Sequence, residues 1–310
     1  MESERSPLVS IITAAYNRSN VLKYAIASVL RSTVEDWELL VVNDASTDNT
    51  EAVVKSFVDR RIRYLEMPKN TGNQAEPNNE AFRHARGRYI AYLSQDDLWF
   101  PDHLEESLRV LREPAVDWVF NLGIALNPAN ETFLLGVMPE GRFDPRYGKE
   151  VPATLWVLKR EVLEEIGSWP DYRSIRIPPS TDLMLRAWKA GKNLVMVPAV
   201  TAVLVQSGLR LNSYAERQEE ENKLYDERMC NEPDFRTNEL LRLSISREKE
   251  LVSNKINLCW ACIQLLKTAA KRLGFLIGFS AIHTIYLLRH WRKGGVIASL
   301  RKIRGLPPAP

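Results

Sequence analysis

The first hundred residues alternate short apolar runs of strand length with segments whose apolar positions have helical spacing. After the first run, for example, Val21, Leu22, Ala25 and Ile26 recur on one helix face. Each run is followed by such a segment after a short connection, and the four runs are Leu8–Ala15, Trp37–Val42, Ile62–Met67 and Tyr89–Leu93. Four strand–helix repeats predict an α/β fold, in which helices flank a Rossmann-like, mostly parallel sheet.

The second half of the chain continues with strands and then becomes helical. Further strands are expected at Val116–Leu126, Thr154–Leu158 and Asn193–Val197, and a helix at Thr181–Lys189. From Asn212 onward the pattern is helical. We therefore expect one domain over residues 1–210 and a helical, basic extension over residues 211–310, called the C-terminal region below. An apolar content of 45% and a charged content of 26% are ordinary for a globular protein.

Carboxylates follow two of the predicted strands at the point where each strand ends. The second strand ends at Asp44, and the fourth runs into Ser94-Gln95 and then Asp96 and Asp97. The carboxyl ends of parallel strands meet at one edge of a sheet, where ligands bind in open α/β folds. A structural role is the alternative: Asp44 suits a turn, and Asp97 or Asp102 could cap the next helix. Asp48 lies in the first turn of a predicted helix and is expected to be structural.

Such an edge suits a phosphorylated ligand held through a cation. A carboxylate there can accept hydrogen bonds from a nucleobase or a ribose, and a pair of carboxylates can hold a divalent cation that neutralises a diphosphate. The segment after the first strand, Ala14-Ala15-Tyr16-Asn17-Arg18-Ser19-Asn20, has neither GxGxxG nor GxxxxGK[ST]. The absence of both phosphate-binding motifs from this segment argues against a nicotinamide-dependent dehydrogenase and against a P-loop NTPase.

Three segments in order resemble glycosyltransferase family 2, whose members use nucleotide-sugar donors and have the GT-A fold. They are Val9–Asn17, Val41–Asp48, and Ala85–Ile90 running into Asp96-Asp97, and the resemblance covers roughly residues 8–206. The resemblance implies that Ala14, Ala15 and Tyr16 contact the donor and that Asp44 binds its base. It also implies that Asp96 binds the ribose or diphosphate and that Asp97 is the principal ligand of Mg²⁺ or Mn²⁺. Asn78 occupies the place of a substrate-binding asparagine of the family.

An inverting transferase also needs a general base that takes the proton of the acceptor hydroxyl. In the family this carboxylate lies in an acidic motif just before a helix that reads Asp-Leu-x-Leu-Arg. Asp182 and Arg186 match the end of the motif, but Pro179 and Ser180 stand where the family usually has Glu-Asp. Asp182 is the expected base, with Asp171 as the alternative. Trp188, in the same predicted helix, is expected in the core.

The net charge of +3 conceals an acidic body and a basic tail. Residues 255–310 contain ten Lys or Arg and no Asp or Glu, which leaves 32 basic and 39 acidic residues in the remainder. Leu273–Leu288 is uncharged and bracketed by basic residues, which suits an interfacial helix on anionic lipid. Packing on the catalytic domain or on a second subunit is the alternative. Nucleic-acid binding is not expected, because the tail has no recognition motif.

The cysteines and the N-terminus indicate a reducing compartment. Cys259 and Cys262 lie in an apolar run without a second pair of zinc ligands, so we expect them to pack in a helix. Met1–Pro7 is polar and does not resemble a signal peptide. The protein is therefore expected in the cytoplasm, either free or peripheral at the inner face of the membrane.

The sequence as a whole predicts a metal-dependent, inverting glycosyltransferase that moves a sugar from a nucleotide-diphosphate donor to a hydroxyl acceptor. A saccharide or lipid-linked acceptor in polysaccharide or glycolipid assembly would account for a tail that binds the membrane surface. One alternative is a sugar nucleotidyltransferase, which would need a Gly-rich loop after the first strand. The other is a module that binds nucleotide-sugar without turnover.

Overall fold

A computed structural model describes residues 6–129, 131–216, 219–255 and 292–308 of the chain. The expected strand–helix repeats form its first half and are confirmed. The elements in chain order are β1 (Val9–Ala15), α1 (Ser19–Leu30), β2 (Trp37–Asn43), α2 (Thr50–Lys55), β3 (Ile62–Glu66), α3 (Ala75–His84) and β4 (Tyr89–Tyr92). These strands are parallel in the order β3-β2-β1-β4. Every residue of β2 and β4 is buried, as expected for strands covered on both faces.

The second half turns the sheet into a mixed one. Its elements are β5 (Asp97–Trp99), α4 (His103–Leu111), β6 (Trp118–Leu126), β7 (Thr132–Leu135), β8 (Trp156–Lys159), α5 (Arg160–Ile166), α6 (Pro179–Lys189) and β9 (Leu194–Val205). The full order is β3-β2-β1-β4-β8-β6-β9-β5, with β7 paired to β6. β8 is antiparallel to both β4 and β6, whereas β9 is parallel to β6. The α/β prediction holds, with antiparallel strands added at one side.

Two differences from the sequence prediction concern β5 and β9. No strand is predicted between β4 and the next helix, which Asp97 or Asp102 could cap, but Asp97–Trp99 forms a strand antiparallel to β9. β9 continues past the predicted Val197 as far as Val205, and its second half is the partner of β5. A three-residue strand has no periodicity to detect, and its partner lies about a hundred residues away. Pairing of this kind is set by tertiary contacts and not by local pattern.

Close backbone approach fixes the turn that leads into β4. A Cβ atom added to Gly87 would lie 2.4 Å from the backbone nitrogen of Ser10, so only glycine fits there. The Gly87 amide donates to the Ser10 hydroxyl at 2.8 Å, and that hydroxyl donates to the buried carboxylate of Glu38 at 2.7 Å. These contacts join the starts of β1, β2 and β4, which sets the register that brings their carboxyl ends together.

The described part of the C-terminal region packs on the α/β domain. It consists of α7 (Ser213–Glu216), α8 (Glu220–Asn231), α9 (Phe235–Lys255) and α10 (Gly295–Ile303). Arg236 of α9 donates to both carboxylate oxygens of Asp102 at 2.7 Å, and Asp102 makes no side-chain cap bond to α4. No helix among the described residues is long and apolar enough to cross a bilayer. Cys259, Cys262 and Leu273–Leu288 lie outside the described residues, so the expectations for them stay predictions.

Candidate functional site

The carboxyl ends of β1, β2 and β4 meet at one edge of the sheet, as the strand pattern predicts. Ala14 pairs with Val42 and Ala15 with Asn43, and the amide of Asp44 donates to the carbonyl of Ala15 at 2.8 Å. The β4 end is tied to the same place, because the Tyr16 amide donates to Oε1 of Gln95 at 2.8 Å. Ala14, Ala15, Tyr16, Asp44 and the Ser94–Asp97 segment therefore lie together. We call this the carboxyl edge.

Asp44 is buried at this edge and held by the turn after β3. It is 4% exposed, and its carboxylate accepts from the Thr71 amide at 2.9 Å and from Nδ2 of Asn70 at 2.8 Å. Burial raises the pKa of Asp44 to about 6, although hydrogen bonds from Thr71 and the charge of Arg301 oppose that shift. The pKa of Asp44 therefore lies above its ordinary value of 3.8 although three kinds of contact oppose the shift.

The two adjacent carboxylates, Asp96 and Asp97, have different surroundings. Asp97 begins β5 and is 6% exposed; one carboxylate oxygen accepts from the Val205 amide at 3.1 Å and the other from the Thr154 hydroxyl. Burial, and then the charge of Asp96, raises the pKa of Asp97. Asp96 is half-buried, and no described residue forms a hydrogen bond or ion pair with its carboxylate. Asp96 is therefore the accessible carboxylate of the pair.

The fit of a divalent cation can be judged from these surroundings. No group of three His, Cys, Asp or Glu side chains with metal-binding geometry occurs in the part of the chain that the structure describes. Mg²⁺ is usually held by one or two carboxylates together with substrate phosphates and water, so a single accessible carboxylate at the edge fits a cation that arrives with a diphosphate. Asp96 meets that condition. Both oxygens of Asp97 already accept internal hydrogen bonds, so Asp97 fits less well.

Asn78 lies in α3, the helix that begins just after the turn that holds Asp44. It is 5% exposed, and its backbone amide donates to the backbone carbonyl of Gln74 at 3.0 Å within the helix. The next residue, Asn79, forms two hydrogen bonds with the backbone of Trp169, one in each direction, at 2.9 and 3.0 Å. α3 is thereby connected to the loop before α6.

Asp182 lies in the first turns of α6 and is paired within that helix. Its carboxylate accepts from Nε of Arg186 at 2.8 Å, and the Arg186 guanidinium also donates to the carbonyls of Ile166, Gly167 and Ser168. The Asp182–Arg186 pair therefore fixes the loop after α5 against α6. Such a contact gives Asp182 a structural role in addition to any catalytic one.

The other two residues noted near α6 are both exposed. The Asp171 side chain is paired with Arg173. Hydrogen bonds from the backbone amide of Arg173, and to a smaller extent from its side chain, lower the pKa of Asp171, so Asp171 is a weaker base. Trp188 is 41% exposed, so its expected place in the core is wrong. The last turn of α6 faces solvent at that position.

Asp48 has the structural role that was expected of it. One of its carboxylate oxygens accepts from the Ser19 amide at 3.0 Å, and the other accepts from the Thr50 amide at 3.0 Å. Burial alone would raise the pKa of Asp48, but these hydrogen bonds outweigh burial and lower it. Asp48 thus joins the start of α1 to the start of α2.

Sequence analysis missed several residues of the carboxyl edge because they come from distant parts of the chain. Nε2 of Gln95 donates to the hydroxyl of Tyr214 at 3.1 Å, and the rings of Tyr214 and Tyr16 are 6.3 Å apart. Arg301 and Arg304, from the end of the C-terminal region, also reach this edge. The basic composition of the tail was the only signal for these arginines. Nothing local in the sequence marked Tyr214.

Comparison with known proteins gives a family match over part of the chain. Residues 10–137 match the family described as Glycosyl transferase family 2. TuaG of Bacillus subtilis, described as a putative teichuronic acid biosynthesis glycosyltransferase, is 36% identical over 116 residues, which are 37% of this chain and 46% of that protein. WfgD of Escherichia coli, a UDP-Glc:alpha-D-GlcNAc-diphosphoundecaprenol beta-1,3-glucosyltransferase, is 38% identical over 113 residues, which are 36% and 44% of the two chains. The matched segment thus spans less than half of either relative.

Solved structures show the fold. Residues 1–349 of TarS from S. aureus superpose with a TM-score of 0.55 at 15% identity, covering 96% of this chain and 90% of that one. The same fragment of TarS in complex with UDP-GlcNAc also gives 0.55, over 64% and 58% of the two chains. At this identity the likeness speaks for the fold alone. Residues 10–137 are therefore similar to glycosyltransferase family 2, and the fold of the chain is GT-A.

Proposed function

We propose that the protein transfers a sugar from a nucleoside-diphosphate donor to a hydroxyl acceptor. The single observation that carries the proposal is the convergence of Asp44 and Asp96, from two different strand ends, on one edge of a domain similar to glycosyltransferase family 2. Open α/β sheets bind ligands at this edge. In the reaction, an acceptor oxygen attacks the anomeric carbon, the bond from that carbon to the diphosphate oxygen breaks, and the nucleoside diphosphate leaves.

The proposed donor contacts are those that the family resemblance implies, at residues that the fold brings to the carboxyl edge. We assign the base to Asp44 with the Asn70–Gly72 turn, and the rest of the nucleotide to Ala14, Ala15 and Tyr16. Asn78 is proposed as a further donor contact because α3 begins just after the turn that holds Asp44. For the cation we favour Asp96 over the expected Asp97, because the Asp96 carboxylate is accessible whereas both oxygens of Asp97 are engaged. A bound Mg²⁺ or Mn²⁺ would neutralise the charge that develops on the diphosphate.

Asp182 remains the proposed general base, and inversion follows only if such a base acts directly on the acceptor. Arg186 holds the Asp182 carboxylate in place through the hydrogen bond from its Nε. Loss of turnover in Asp182→Asn with unchanged melting temperature would support the base, whereas retained turnover would remove Asp182 from that role.

The proposed acceptor is a lipid-linked saccharide or a growing polysaccharide. The description of WfgD names a diphosphoundecaprenol acceptor, and that of TuaG names teichuronic acid biosynthesis. A lipid-linked acceptor would bring the enzyme to the inner face of the membrane, and the basic tail would support that position. Co-sedimentation with anionic vesicles, compared with neutral vesicles, tests the membrane contact.

Donor binding and turnover test the central proposal. The full chain is screened for thermal stabilisation by UDP-, GDP- and dTDP-linked sugars with Mn²⁺ and with EDTA, since a ligand at a hundred times its Kd adds about 2.7 kcal/mol to folded-state stability. We expect stabilisation by one nucleotide class that depends on Mn²⁺. Absence of stabilisation by every donor would overturn the proposal.

One observation favours a second candidate, a module that binds nucleotide-sugar without turnover. Ser180 stands where the family usually has an acid, and Asp182 is engaged by Arg186. Stabilisation by a donor without transfer or hydrolysis would favour this candidate. Release of pyrophosphate from a nucleoside triphosphate and a sugar phosphate would instead indicate a nucleotidyltransferase.

A further inference from the structure

The last described segment, residues 292–308, is built into the carboxyl edge. At the start of α10 the Gly294 amide donates to the carbonyl of Ile175 at 2.8 Å. At its end the Asn212 amide donates to the carbonyl of Ile303 at 2.8 Å, and the Tyr214 amide donates to that of Arg304 at 3.3 Å. Val296 and Ile297 are buried. α10 is therefore fixed at both ends by backbone contacts with the α/β domain and with α7.

Arg301 supports the Asp44 side of the edge. It is 5% exposed, its Nη1 donates to the carbonyl of Gly72 at 3.0 Å, and its Nε donates to the carbonyl of Pro307 at 2.8 Å. Gly72 belongs to the turn whose Asn70 and Thr71 hold the Asp44 carboxylate. Arg301 is therefore a positioning residue for this turn.

Arg304 lies on the Asp96 side of the edge and has donors to spare. Its Nε donates to the carbonyl of Gly208 at 3.0 Å, and its guanidinium carbon is 5.6 Å from the centre of the Tyr214 ring. The terminal nitrogens of Arg304 form no hydrogen bond with any described residue. A Cβ atom at Gly208 would be 3.5 Å from Oδ2 of Asp96 and 3.6 Å from Nη2 of Arg304, so the two charged groups flank the same point. No ion pair joins these two described residues.

A diphosphate needs positive charge at this edge, and the segment after β1 does not provide a Gly-rich phosphate cradle. The carboxylates of Asp44 and Asp96 repel an anion unless cations accompany it. An arginine presents a planar fork of donors that matches phosphate oxygens, and it stabilises the negative charge that grows on a leaving diphosphate. Arg304 has the charge, the unused donors and the position beside Asp96.

We propose that Arg304, from the end of the C-terminal region, binds the diphosphate of the donor, while Arg301 holds the turn that carries the base-binding Asp44. The C-terminal segment thereby completes the donor site. This inference rests on the proposed function, since it assigns a contact to the same donor.

The test compares a nucleoside diphosphate with the nucleoside that lacks its phosphates. Affinities of UDP and uridine, and of GDP, dTDP and their nucleosides, are measured by calorimetry with Mn²⁺ on the full chain and on Arg304→Gln. The matched control is Lys302→Gln, which removes an equal charge from an exposed position on the neighbouring helix α10. The melting temperature without ligand is recorded for each protein.

We expect Arg304→Gln to weaken binding of the nucleoside diphosphate about tenfold to a hundredfold, the usual effect of losing hydrogen bonds to a charged group. Nucleoside binding should change less than about twofold, and Lys302→Gln should leave both affinities unchanged. Arg304→Lys, which keeps the charge but loses the fork, should bind the diphosphate with intermediate affinity.

Three results would overturn the inference alone: equal effects of Arg304→Gln and Lys302→Gln, an unchanged diphosphate affinity in Arg304→Gln, or an equal loss of nucleoside affinity. The last would mean that Arg304 acts only through its contact with Gly208. Failure of the wild-type chain to bind any nucleoside diphosphate would overturn the proposed function and this inference with it.

Discussion

The different surroundings of Asp96 and Asp97 lead to a prediction about two nearly isosteric variants. Asp97→Asn should leave Mn²⁺-dependent nucleotide binding in place and should stabilise the protein, whereas Asp96→Asn should abolish that binding with little effect on stability. The asparagine side chain of the Asp97→Asn variant can keep both internal hydrogen bonds, because its oxygen can accept from the Val205 amide and its amide group can donate to the Thr154 hydroxyl. The substitution therefore mimics the protonated form of Asp97.

The size of the stabilisation follows from proton linkage. Because burial and the Asp96 charge raise the pKa of Asp97 above its ordinary value of 3.8, the folded state binds a proton that the unfolded chain releases. Each pH unit above 3.8 therefore costs the folded state about 1.4 kcal/mol, until the folded-state pKa is reached. Stability from this group is fully present in acid and is lost as the pH rises. The amide of the variant does not titrate, so we expect Asp97→Asn to be about 1.7 kcal/mol more stable than the wild type at pH 5, with the difference growing by about 1.4 kcal/mol per pH unit until the folded-state pKa of Asp97 is reached.

Urea denaturation in buffer without divalent cations measures this gain at about pH 5, 6.5 and 8. Asp48→Asn is the matched control with the opposite sign. Hydrogen bonds hold the pKa of Asp48 below its ordinary value of 3.8 despite burial, so the ionised carboxylate stabilises the folded state at pH values above 3.8. Removal of this carboxylate should therefore destabilise the protein at neutral pH. An Asp97→Asn protein that is less stable than the wild type at the highest pH would refute the linkage argument. Loss of Mn²⁺-dependent binding in Asp97→Asn but not in Asp96→Asn would restore Asp97 as the cation ligand.

Three further variants test the scaffold around the site. Burial lowers the pKa of His103 to about 3, so the folded state does not bind the proton that the unfolded chain binds below pH 6.5. From this group the free energy of unfolding of the wild type should fall by about 2 kcal/mol between pH 6.5 and about pH 5. Urea titrations of His103→Gln at the two pH values should lack that decrease. Gly87→Ala should cost about 3 kcal/mol or more, or prevent folding, because its Cβ meets the Ser10 backbone at 2.4 Å, and a melting temperature within a few degrees of wild type would contradict this. Arg186→Met should lower the free energy of unfolding by about 2 kcal/mol, because the charged hydrogen bonds to three carbonyls are lost. Asp182→Asn should lower it by no more than about 1 kcal/mol. Denaturant midpoints that rank the two variants in the opposite order would refute the structural role of Arg186.

The sequence was sufficient to predict the features that local pattern encodes. The apolar runs that became β1 to β4 follow from periodicity, and they bring Ala15, Asp44 and Gln95 to one edge. Local pattern did not distinguish Asp96 from Asp97. The difference arises because β5 pairs with the end of β9, which turns the Asp97 carboxylate towards the Val205 amide. That contact joins residues about a hundred positions apart, and adjacent aspartates look alike in a sequence.

The position of α10 changes the interpretation of the basic tail. Residues 255–310 carry ten basic side chains, and two of them, Arg301 and Arg304, lie at an edge that contains the carboxylates of Asp44, Asp96 and Asp97. Those two charges face the carboxyl edge, so they do not contribute to attraction between the tail and anionic lipid. Attraction to anionic lipid, about 1 kcal/mol for each basic residue near the surface, then depends on the remaining basic residues of the tail. Exposed Lys302 belongs to this second set. If both functions are present, Lys302→Gln should weaken binding to anionic vesicles about fivefold without affecting nucleotide, and Arg304→Gln should do the reverse.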